Sequence, residues 1–340
     1  MKKVNYVDFF KIYENKDRKS IVISIGEYHE FYNCDDDKSI DVNNIIGDIF
    51  AFYKNIAHNV IKSRLGPASS KKSTALQPAS SKSNKINRKE IINKINAIVK
   101  ADDSVNILIE IDRTLCTDVY APVKEQDEYG NMIEVYESNL FQVCHELLIN
   151  KKKWKWTPID TRANLIFLKL LTDITKRLHT YTKYITEIEV YDMVEDLLLY
   201  KDDIYLFLED YNAGNYFKKK IISSVSKIEK LYNKCVNKKY FDSAAIGHLV
   251  VNITCSLQDI YCAEFIRENK INIIYTGAAH NKNMDPFFHK NGYKIINRGK
   301  VAKTANCTTI DTRSIYEILN NFYKEKISNI ISIINKFSKK

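Results

Sequence analysis

Four short apolar runs, separated by long stretches with helical spacing, constrain the fold of this chain more than any other feature. Each run is bounded by polar sequence, as is typical of buried strands. The runs cover residues 21–25, 105–111, 154–159 and 271–276, and a weaker fifth run covers 293–297 after Asn291-Gly292. Strands that alternate with helices favour a mainly parallel central sheet with helices on both faces. We therefore predict an α/β fold.

Apolar residues at three- and four-residue spacing predict the helices between these strands. The predicted helices cover residues 42–65, 90–99, 140–149, 165–178, 185–199, 216–236, 244–267 and 315–337. The helix-only block 163–268 is longer than one crossover between parallel strands needs. We interpret it as a helical cap or insertion within a single domain that covers residues 1–340.

Residues 66–87 form a segment of a different composition, rich in Ser, Lys, Ala and Pro, with two near-copies of PASSK. Such a composition buries too little surface to offset the entropy of ordering, so we predict a disordered low-complexity insertion. The segment is either a tolerated expansion or a functional element, such as a phosphorylation site or a basic tether for nucleic acid or an anionic membrane. The first interpretation is the simpler one.

The net charge of +10 is concentrated around the same segment. Eight basic residues and no acidic residue lie between Lys62 and Lys89, so the rest of the chain is nearly balanced. This distribution does not indicate a nucleic-acid-binding face across the fold, and we predict no specific nucleic-acid partner.

The cysteines and the apolar runs indicate a cellular compartment. The seven cysteines form no CxxC pair, and the amino-terminal residues contain no apolar leader. No apolar run approaches the roughly 20 residues that a membrane helix needs. We therefore expect a cytoplasmic protein without a transmembrane segment. Frequent Lys, Asn, Ile and Tyr with only 9 Gly and 5 Pro indicate an AT-rich genome. Such a genome is found in some large DNA viruses and in certain protists, and for a virus the compartment would be the host cytoplasm or the virion.

Polar and glycine residues follow each of the four main runs at its carboxyl end. They are Gly26-Glu27-Tyr28-His29, Glu110, Asp160 with Arg162, and Gly277-Ala278-Ala279-His280. Ligands of an open parallel sheet bind beyond the carboxyl ends of its strands. The sequence therefore predicts a site at this edge of the sheet.

The two GxxH tetrads are the most specific part of this pattern. Random placement of the 9 Gly and 7 His residues would give about 0.2 such tetrads in the chain. A glycine lets the chain turn sharply off the strand and lets the backbone approach a ligand closely. A neutral histidine one turn later can take a proton from water or bind a metal ion, and a nearby glutamate can orient it.

These residues resemble the superfamily that groups TIKI/TraB proteins, ChaN-type haem-binding proteins and erythromycin-esterase-like proteins. The resemblance rests on GEYH, on Glu110, and on GAAH followed by a helix and Asn291-Gly292-Tyr293, as islands between residues 21 and 297. The family carries an Arg-Asp/Asn-x-x-Met-Ala pattern before its last motif. The similar segment here is QDIYCA, which nominates Asp259 and has Gln258 and Cys262 in place of Arg and Met.

The resemblance implies three kinds of activity. TIKI-like members are metal-dependent proteases, esterase-like members activate water with a histidine, and ChaN-like members bind haem. The residues that match by position are Glu27, His29, Glu110 and His280. A looser match to an "ID-x-R" element of esterase-like relatives adds Asp160 and Arg162.

Our first hypothesis is a metal-assisted or histidine-based hydrolase acting on a small-molecule or peptide substrate. A divalent cation (Mn²⁺, Co²⁺ or Zn²⁺) would be held by His29, His280 and either Glu27 or Glu110, and the remaining glutamate would act as general base. Arg162 would stabilise the oxyanion. Tyr28, Asp160 and Asp259 would contact the ligand.

Two other hypotheses stay open. The pocket could bind haem or another small ligand without catalysis, or the chain could be a viral structural protein that keeps only the fold. Each residue also has a structural interpretation: histidines that cap the following helix, an Asp160–Arg162 ion pair, and a solvated Asp259. The sequence is compatible with a homodimer.

Overall fold

A computed structural model describes twelve segments of the chain. They are residues 2–5, 7–27, 42–65, 81–111, 121–126, 129–135, 139–149, 156–160, 187–211, 215–238, 243–301 and 307–338. The strands are β1 (Lys2–Asn5), β2 (Val7–Asn15), β3 (Ser20–Glu27), β4 (Val105–Ile109), β5 (Val123–Gln126), β6 (Met132–Val135), β7 (Trp156–Pro158), β8 (Ile271–Gly277), β9 (Lys294–Arg298), β10 (Lys300–Val301) and β11 (Cys307–Ile310). The helices are α1 (Val42–Leu65), α2 (Ser81–Lys100), α3 (Asn139–Ile149), α4 (Glu187–Leu199), α5 (Lys201–Glu209), α6 (Asn215–Lys238), α7 (Ser243–Glu264), α8 (Ala278–Lys290) and α9 (Thr312–Ser338).

The central sheet has six strands in the order β7-β4-β8-β3-β2-β9. Strands β7, β4, β8 and β3 pair in parallel, and β2 pairs antiparallel to both β3 and β9. Only β2 therefore runs against the other five strands. The predicted α/β fold with a mainly parallel central sheet flanked by helices is confirmed.

Two smaller sheets accompany the central one. Strands β1, β11 and β10 form an antiparallel sheet, and β5 pairs with β6 as a hairpin. Strands β1 and β2 precede the first run that we predicted to be a strand, so that run is the third strand of the described chain. The omission has a physical cause: β2 carries Asp8, Lys11 and Glu14, each half-buried, among its buried residues, so it contains no continuous apolar run.

Alternate residues of the parallel strands pack against two different helical layers, as the two-residue period of a strand requires. Ile23, Ile107 and Ile273 lie in a core with α1, α2, α3 and α9. Val22, Leu108 and Ile274, one position away, lie in a second core with helices α4 to α8. The sheet is thus buried on both faces, and its carboxyl edge lies between the two layers.

The block 163–268 that we interpreted as a cap or insertion is helical where the structure describes it. Helices α4 to α7 occupy most of residues 187–264, and their apolar side chains pack on one face of the central sheet. They therefore form one of the two layers of the fold. Residues 163–186, including the predicted helix 165–178, lie outside the described residues.

The predicted disordered insertion 66–87 ends earlier than we expected. Helix α2 begins at Ser81, so residues 81–87 are helical, and residues 66–80 lie outside the described residues. The cause is that no Gly or Pro follows Pro78 before Lys100, so nothing interrupts a helix there.

In the part of the chain that the structure describes, none of the helices is long and apolar enough to cross a membrane.

Candidate functional site

The ends of β3, β4 and β8 meet at the carboxyl edge of the central sheet. The Cα atom of Glu27 is paired with that of Gly277, and Ile109 is paired with Tyr275. Beyond the last paired residue of β4, the backbone N–H of Glu110 donates to the Tyr275 carbonyl at 3.0 Å. The backbone N–H of Gly277 donates in turn to Oε2 of Glu110 at 2.7 Å. The predicted residues Glu27 and Glu110 therefore lie on either side of the same strand end.

Glu27 is buried and serves the start of a helix. Both of its carboxylate oxygens accept from the backbone N–H of Leu140, each at 3.0 Å, and the Tyr275 hydroxyl donates to Oε2. Leu140 is the second residue of α3, where free N–H groups and the helix dipole favour a negative charge. This contact favours a structural role for Glu27 in anchoring α3 to the sheet.

His280 lies between two buried carboxylates. Its Nδ1 atom is 2.9 Å from Oδ1 of Asp259 on α7, and its Nε2 atom is 3.7 Å from Oε1 of Glu110. The side chains are only 13% (His280), 2% (Asp259) and 5% (Glu110) exposed. Because a carboxylate only accepts, ionised Asp259 fixes the proton on Nδ1 and leaves Nε2 as the basic nitrogen.

Asn283 and Lys220 form a chain of polar contacts to the second carboxylate oxygen of Asp259, Oδ2. The side-chain amide of Asn283 donates to Oδ2 of Asp259, and the Lys220 ammonium group donates to Oδ1 of Asn283. Burial raises the pKa of Asp259, and the opposing effects of His280, Asn283 and Lys220 only partly offset that rise. Helices α6, α7 and α8 thus cooperate to support one histidine.

The buried thiols of Cys144 and Cys262 lie near several carboxylates of the site. Burial raises the pKa of Cys144, and the charges of Glu27, Glu110 and Asp160 raise it further. Burial also raises the pKa of Cys262, with added effects from Asp259 and Glu110. The predicted residues Glu27, Glu110, Asp160 and Asp259 are therefore grouped around the end of the sheet.

The structural role of Gly26 differs from the one that we predicted. Strand β3 continues through Gly26 to Glu27, so the chain makes no sharp turn at this glycine. A Cβ atom at Gly26 would lie 2.8 Å from the Cα of Ala278 and 2.8 Å from Nδ2 of Asn281. The glycine therefore leaves space for the first turn of α8, the helix that carries His280.

Asn281 fastens that first turn to the sheet. Its fully buried amide donates to the Ile25 carbonyl at 3.0 Å and to Oγ1 of Thr276 at 2.6 Å, and the Ser24 hydroxyl donates to its Oδ1. These contacts fix the position of the neighbouring His280 against β3 and β8.

Three of the predicted site residues, Tyr28, His29 and Arg162, lie outside the described residues. Among the residues that the structure does describe, no group of three His, Cys, Asp or Glu side chains could hold a metal ion. The described part supplies two suitable donors, Nε2 of His280 and Oε1 of Glu110. A metal site that includes His29 remains a prediction.

Sequence reasoning missed Asn283 and Lys220. Asn283 follows His280 by three residues, which places both side chains on one side of a helix. That spacing was the available signal. Lys220 had none, because it belongs to a run of three lysines that resembles a solvated helix surface.

Comparisons of the chain with protein-family models, with curated proteins and with solved structures find no match. The resemblance to the TIKI/TraB and esterase-like superfamily therefore stays a prediction.

Proposed function

We propose that the protein is a hydrolase that activates water at His280. The observation that carries the proposal is the arrangement of His280 between Asp259 and Glu110, in which one carboxylate orients the ring and the other faces its basic nitrogen. A buried histidine with this pairing is suited to general-base catalysis.

The proposed reaction needs a water molecule that donates one hydrogen bond to Nε2 of His280 and the other to Oε1 of Glu110. The 3.7 Å between these two atoms is too long for a direct hydrogen bond and is compatible with one water that contacts both. Nε2 takes a proton from the water as its oxygen attacks a carbonyl carbon. Asp259 stabilises the resulting imidazolium, which then returns the proton to the leaving group as the bond to that group breaks.

A divalent cation fits the same two donors, since imidazole nitrogen and carboxylate oxygen are ligands of Zn²⁺, Co²⁺ and Mn²⁺. His280 and Glu110 would hold it, with His29 as the predicted third ligand. Such an ion would lower the pKa of bound water towards neutrality. Glu110 suits this role better than Glu27, whose two oxygens both accept from the start of α3.

The test combines turnover with direct detection of a bound group. We expect the purified protein to hydrolyse a member of a panel of neutral esters and short peptides. We expect His280→Ala to lower this rate by about 10²-fold or more. His289→Ala is the matched control, because His289 lies on the same helix with a half-exposed side chain and is 3.6 Å from Asp285.

Elemental analysis and a visible spectrum distinguish the other hypotheses. Bound metal that is lost in His280→Ala and His29→Ala would support the metal-dependent form of the proposal. A Soret band without turnover would favour the haem-binding alternative instead. Full activity in His280→Ala would contradict the proposal in either form.

A further inference from the structure

The two helical layers on either side of the central sheet differ in charge. Helices α1, α2, α3 and α9, on one face, carry thirteen Lys and Arg residues and five Asp and Glu residues, a net charge of +8. Helices α4 to α8, on the other face, carry ten basic and twelve acidic residues, a net charge of −2. One face of the fold thus carries most of the net charge of +10.

Helices α1, α2 and α9 of the basic layer meet around the side chain of Lys326. Its ammonium group donates to Oδ1 of Asp102, two residues after the end of α2, and to Oγ of Ser104. It also lies 5.7 Å from the ring centre of Tyr53 on α1 and 5.6 Å from that of Tyr323 on α9. The two rings stack with their centres 4.8 Å apart. The three helices are therefore packed together at this point.

Three exposed lysines, one from each helix, flank this contact. Lys54 on α1 and Lys324 on α9 each directly follow one of the stacked tyrosines, and Lys100 is the last residue of α2. All three side chains are exposed and form no ion pair with another residue that the structure describes. Packed helices lie about 8–10 Å apart, close to the Debye length of about 8 Å at physiological ionic strength, so the fields of these charges add. We call this surface of α1, α2 and α9 the basic face.

Exposed asparagines accompany the lysines on the same three helices. They are Asn55 and Asn59 on α1, Asn93 and Asn96 on α2, and Asn320 and Asn321 on α9. Lysine and asparagine side chains both donate hydrogen bonds to the phosphate oxygens of nucleic acids. We propose that the basic face binds the phosphate backbone of a nucleic-acid duplex without preference for its sequence. Phosphate contacts carry no sequence information, which agrees with our expectation of no specific nucleic-acid partner.

The length of the basic face suits a duplex. Helix α1 has 24 residues and helix α9 has 27. At 1.5 Å per residue these helices are about 36 and 40 Å long, which equals about 10–12 base pairs at 3.4 Å each. One turn of a duplex can therefore contact several of the exposed cations at once.

A membrane surface and a single strand fit the basic face less well than a duplex does. The large apolar side chains exposed on its described helices are Ile98 and Tyr316, which are 40% and 37% exposed. Helices that bind a membrane surface insert a whole apolar face, and single-strand sites stack successive bases on several aromatic rings. The Tyr316 ring already stacks on Phe52 with 5.7 Å between ring centres, and its hydroxyl donates to Asp48. A duplex, which needs neither feature, is therefore favoured.

The basic face lies at the opposite edge of the sheet from the proposed catalytic site. Asp102 and Ser104 come just before β4, at the amino ends of the parallel strands, whereas His280 and Glu110 lie at the carboxyl ends. The bound duplex is thus not the substrate of the proposed hydrolase, and this inference does not rest on that function.

The first arm of the test measures the affinity of the purified chain for fluorescein-labelled duplexes of about 25 base pairs by fluorescence anisotropy, over a range of salt concentrations. The triple variant Lys54→Gln/Lys100→Gln/Lys324→Gln removes one charge from each helix and introduces residues that suit a helix. We expect its Kd to rise about tenfold or more near about 0.1 M salt. The slope of log Kd against log salt concentration should fall by about 2–3, since each lost phosphate contact contributes about 0.9.

The matched control is Lys227→Gln/Lys230→Gln/Lys234→Gln on α6, in the opposite layer. It removes the same charge from three exposed lysines, so it measures the effect of net charge alone. We expect its Kd to stay within about threefold of the wild-type value, because salt screens charges on the far side of the fold. Equal weakening of binding in the two triple variants would overturn the role of the basic face.

The second arm compares the duplex with other polyanions. Labelled DNA and RNA duplexes, each in two unrelated sequences, are challenged with unlabelled single strands, with poly-glutamate, and with phosphatidylcholine vesicles that contain phosphatidylserine. Binding of either duplex, with a similar Kd for both sequences and weak displacement by the three competitors, would support the proposal. No binding in about 50 mM salt, stronger binding of any competitor, or a preference of more than about tenfold for one sequence would overturn it.

Discussion

Asp259 and His280 lie on different helices, 21 positions apart, with 2.9 Å between Oδ1 of the aspartate and Nδ1 of the histidine. The aspartate is almost completely buried, so its negative charge is held away from water at a cost to folding. Burial raises the pKa of Asp259 for the same reason. Keeping this buried charge lowers the stability of the protein, but the charge orients the histidine.

The first prediction concerns the effect of the Asp259 charge on activity and on stability. We expect Asp259→Asn to lower hydrolysis by about 10²-fold or more, because the asparagine cannot stabilise an imidazolium. At pH 7 the variant should be as stable as the wild type or more stable, since the amide removes the buried charge. Activity and the thermal melting temperature measure the two effects separately.

The pH dependence of stability has a definite sign. A carboxyl whose pKa is raised by folding stabilises the protein most below the unfolded value, about 3.9 for Asp. That contribution is lost as the pH rises through the folded-state value. The melting temperature of Asp259→Asn relative to wild type should therefore increase from pH 4 to pH 8. Asp196→Asn, at an exposed position of α4, is the control variant.

The second prediction concerns Asn283 and Lys220, the residues that stabilise the Asp259 carboxylate. The amide of Asn283 and the charge of Lys220 both lower the pKa of Asp259. Asn283→Ala and Lys220→Met should therefore raise it, and the acid limb of the pH–kcat/KM profile should move to higher pH. Lys219→Met, at the exposed neighbouring position, is the control. An unchanged acid limb in both variants would show that Asp259 does not titrate in this limb.

The third prediction concerns Glu27 as an anchor of α3. Glu27→Gln replaces a charged acceptor at the helix start with a neutral one, so we expect a loss of about 1–3 kcal/mol in the free energy of unfolding. Glu268→Gln, at an exposed ion pair with Arg18, should change it by less than about 1 kcal/mol. Urea denaturation measures both values, and equal effects would refute a special role for Glu27.

The fourth prediction concerns the close approach of α8 to β3. Gly26→Ala forces a Cβ atom against the backbone of Ala278, so the helix must shift and the protein should lose about 1–3 kcal/mol of stability. The activity should fall as well, because His280 moves with the helix. Gly247→Ala within α7 should be neutral or stabilising, as glycine is unfavourable in a helix.

The parallel part of the sheet could be predicted from the sequence because its strands are buried on both faces. Continuous apolar runs such as those of β3 and β8 are typical of strands that are buried on both faces. Strand β2 could not be found in this way, since it carries charged residues such as Lys11, whose ammonium group binds Asp285 at 2.7 Å. Such a residue is explained only by a partner 274 positions away.

The candidate site, like the sheet, could be predicted from the sequence only in part. His280 and Glu110 were found because they follow apolar strands directly, and strand ends of a parallel sheet share an edge. The contact between the Glu27 carboxylate and the backbone N–H of Leu140 could not be predicted, because it depends on where α3 packs against the sheet. Asn283 and Lys220 act through Asp259. The three-residue spacing from His280 is a local signal for Asn283, whereas no local pattern in the sequence indicates Lys220.

The pairing of β3 with β8 also determines when the central sheet can close during synthesis. The Tyr275 hydroxyl reaches a glutamate 248 positions earlier, so the central sheet remains open until most of the chain has left the ribosome. Contacts between such distant parts of a chain slow folding. Translation must therefore deliver β8 before the central sheet can close, and nascent chains that end before Gly277 should lack the proposed site.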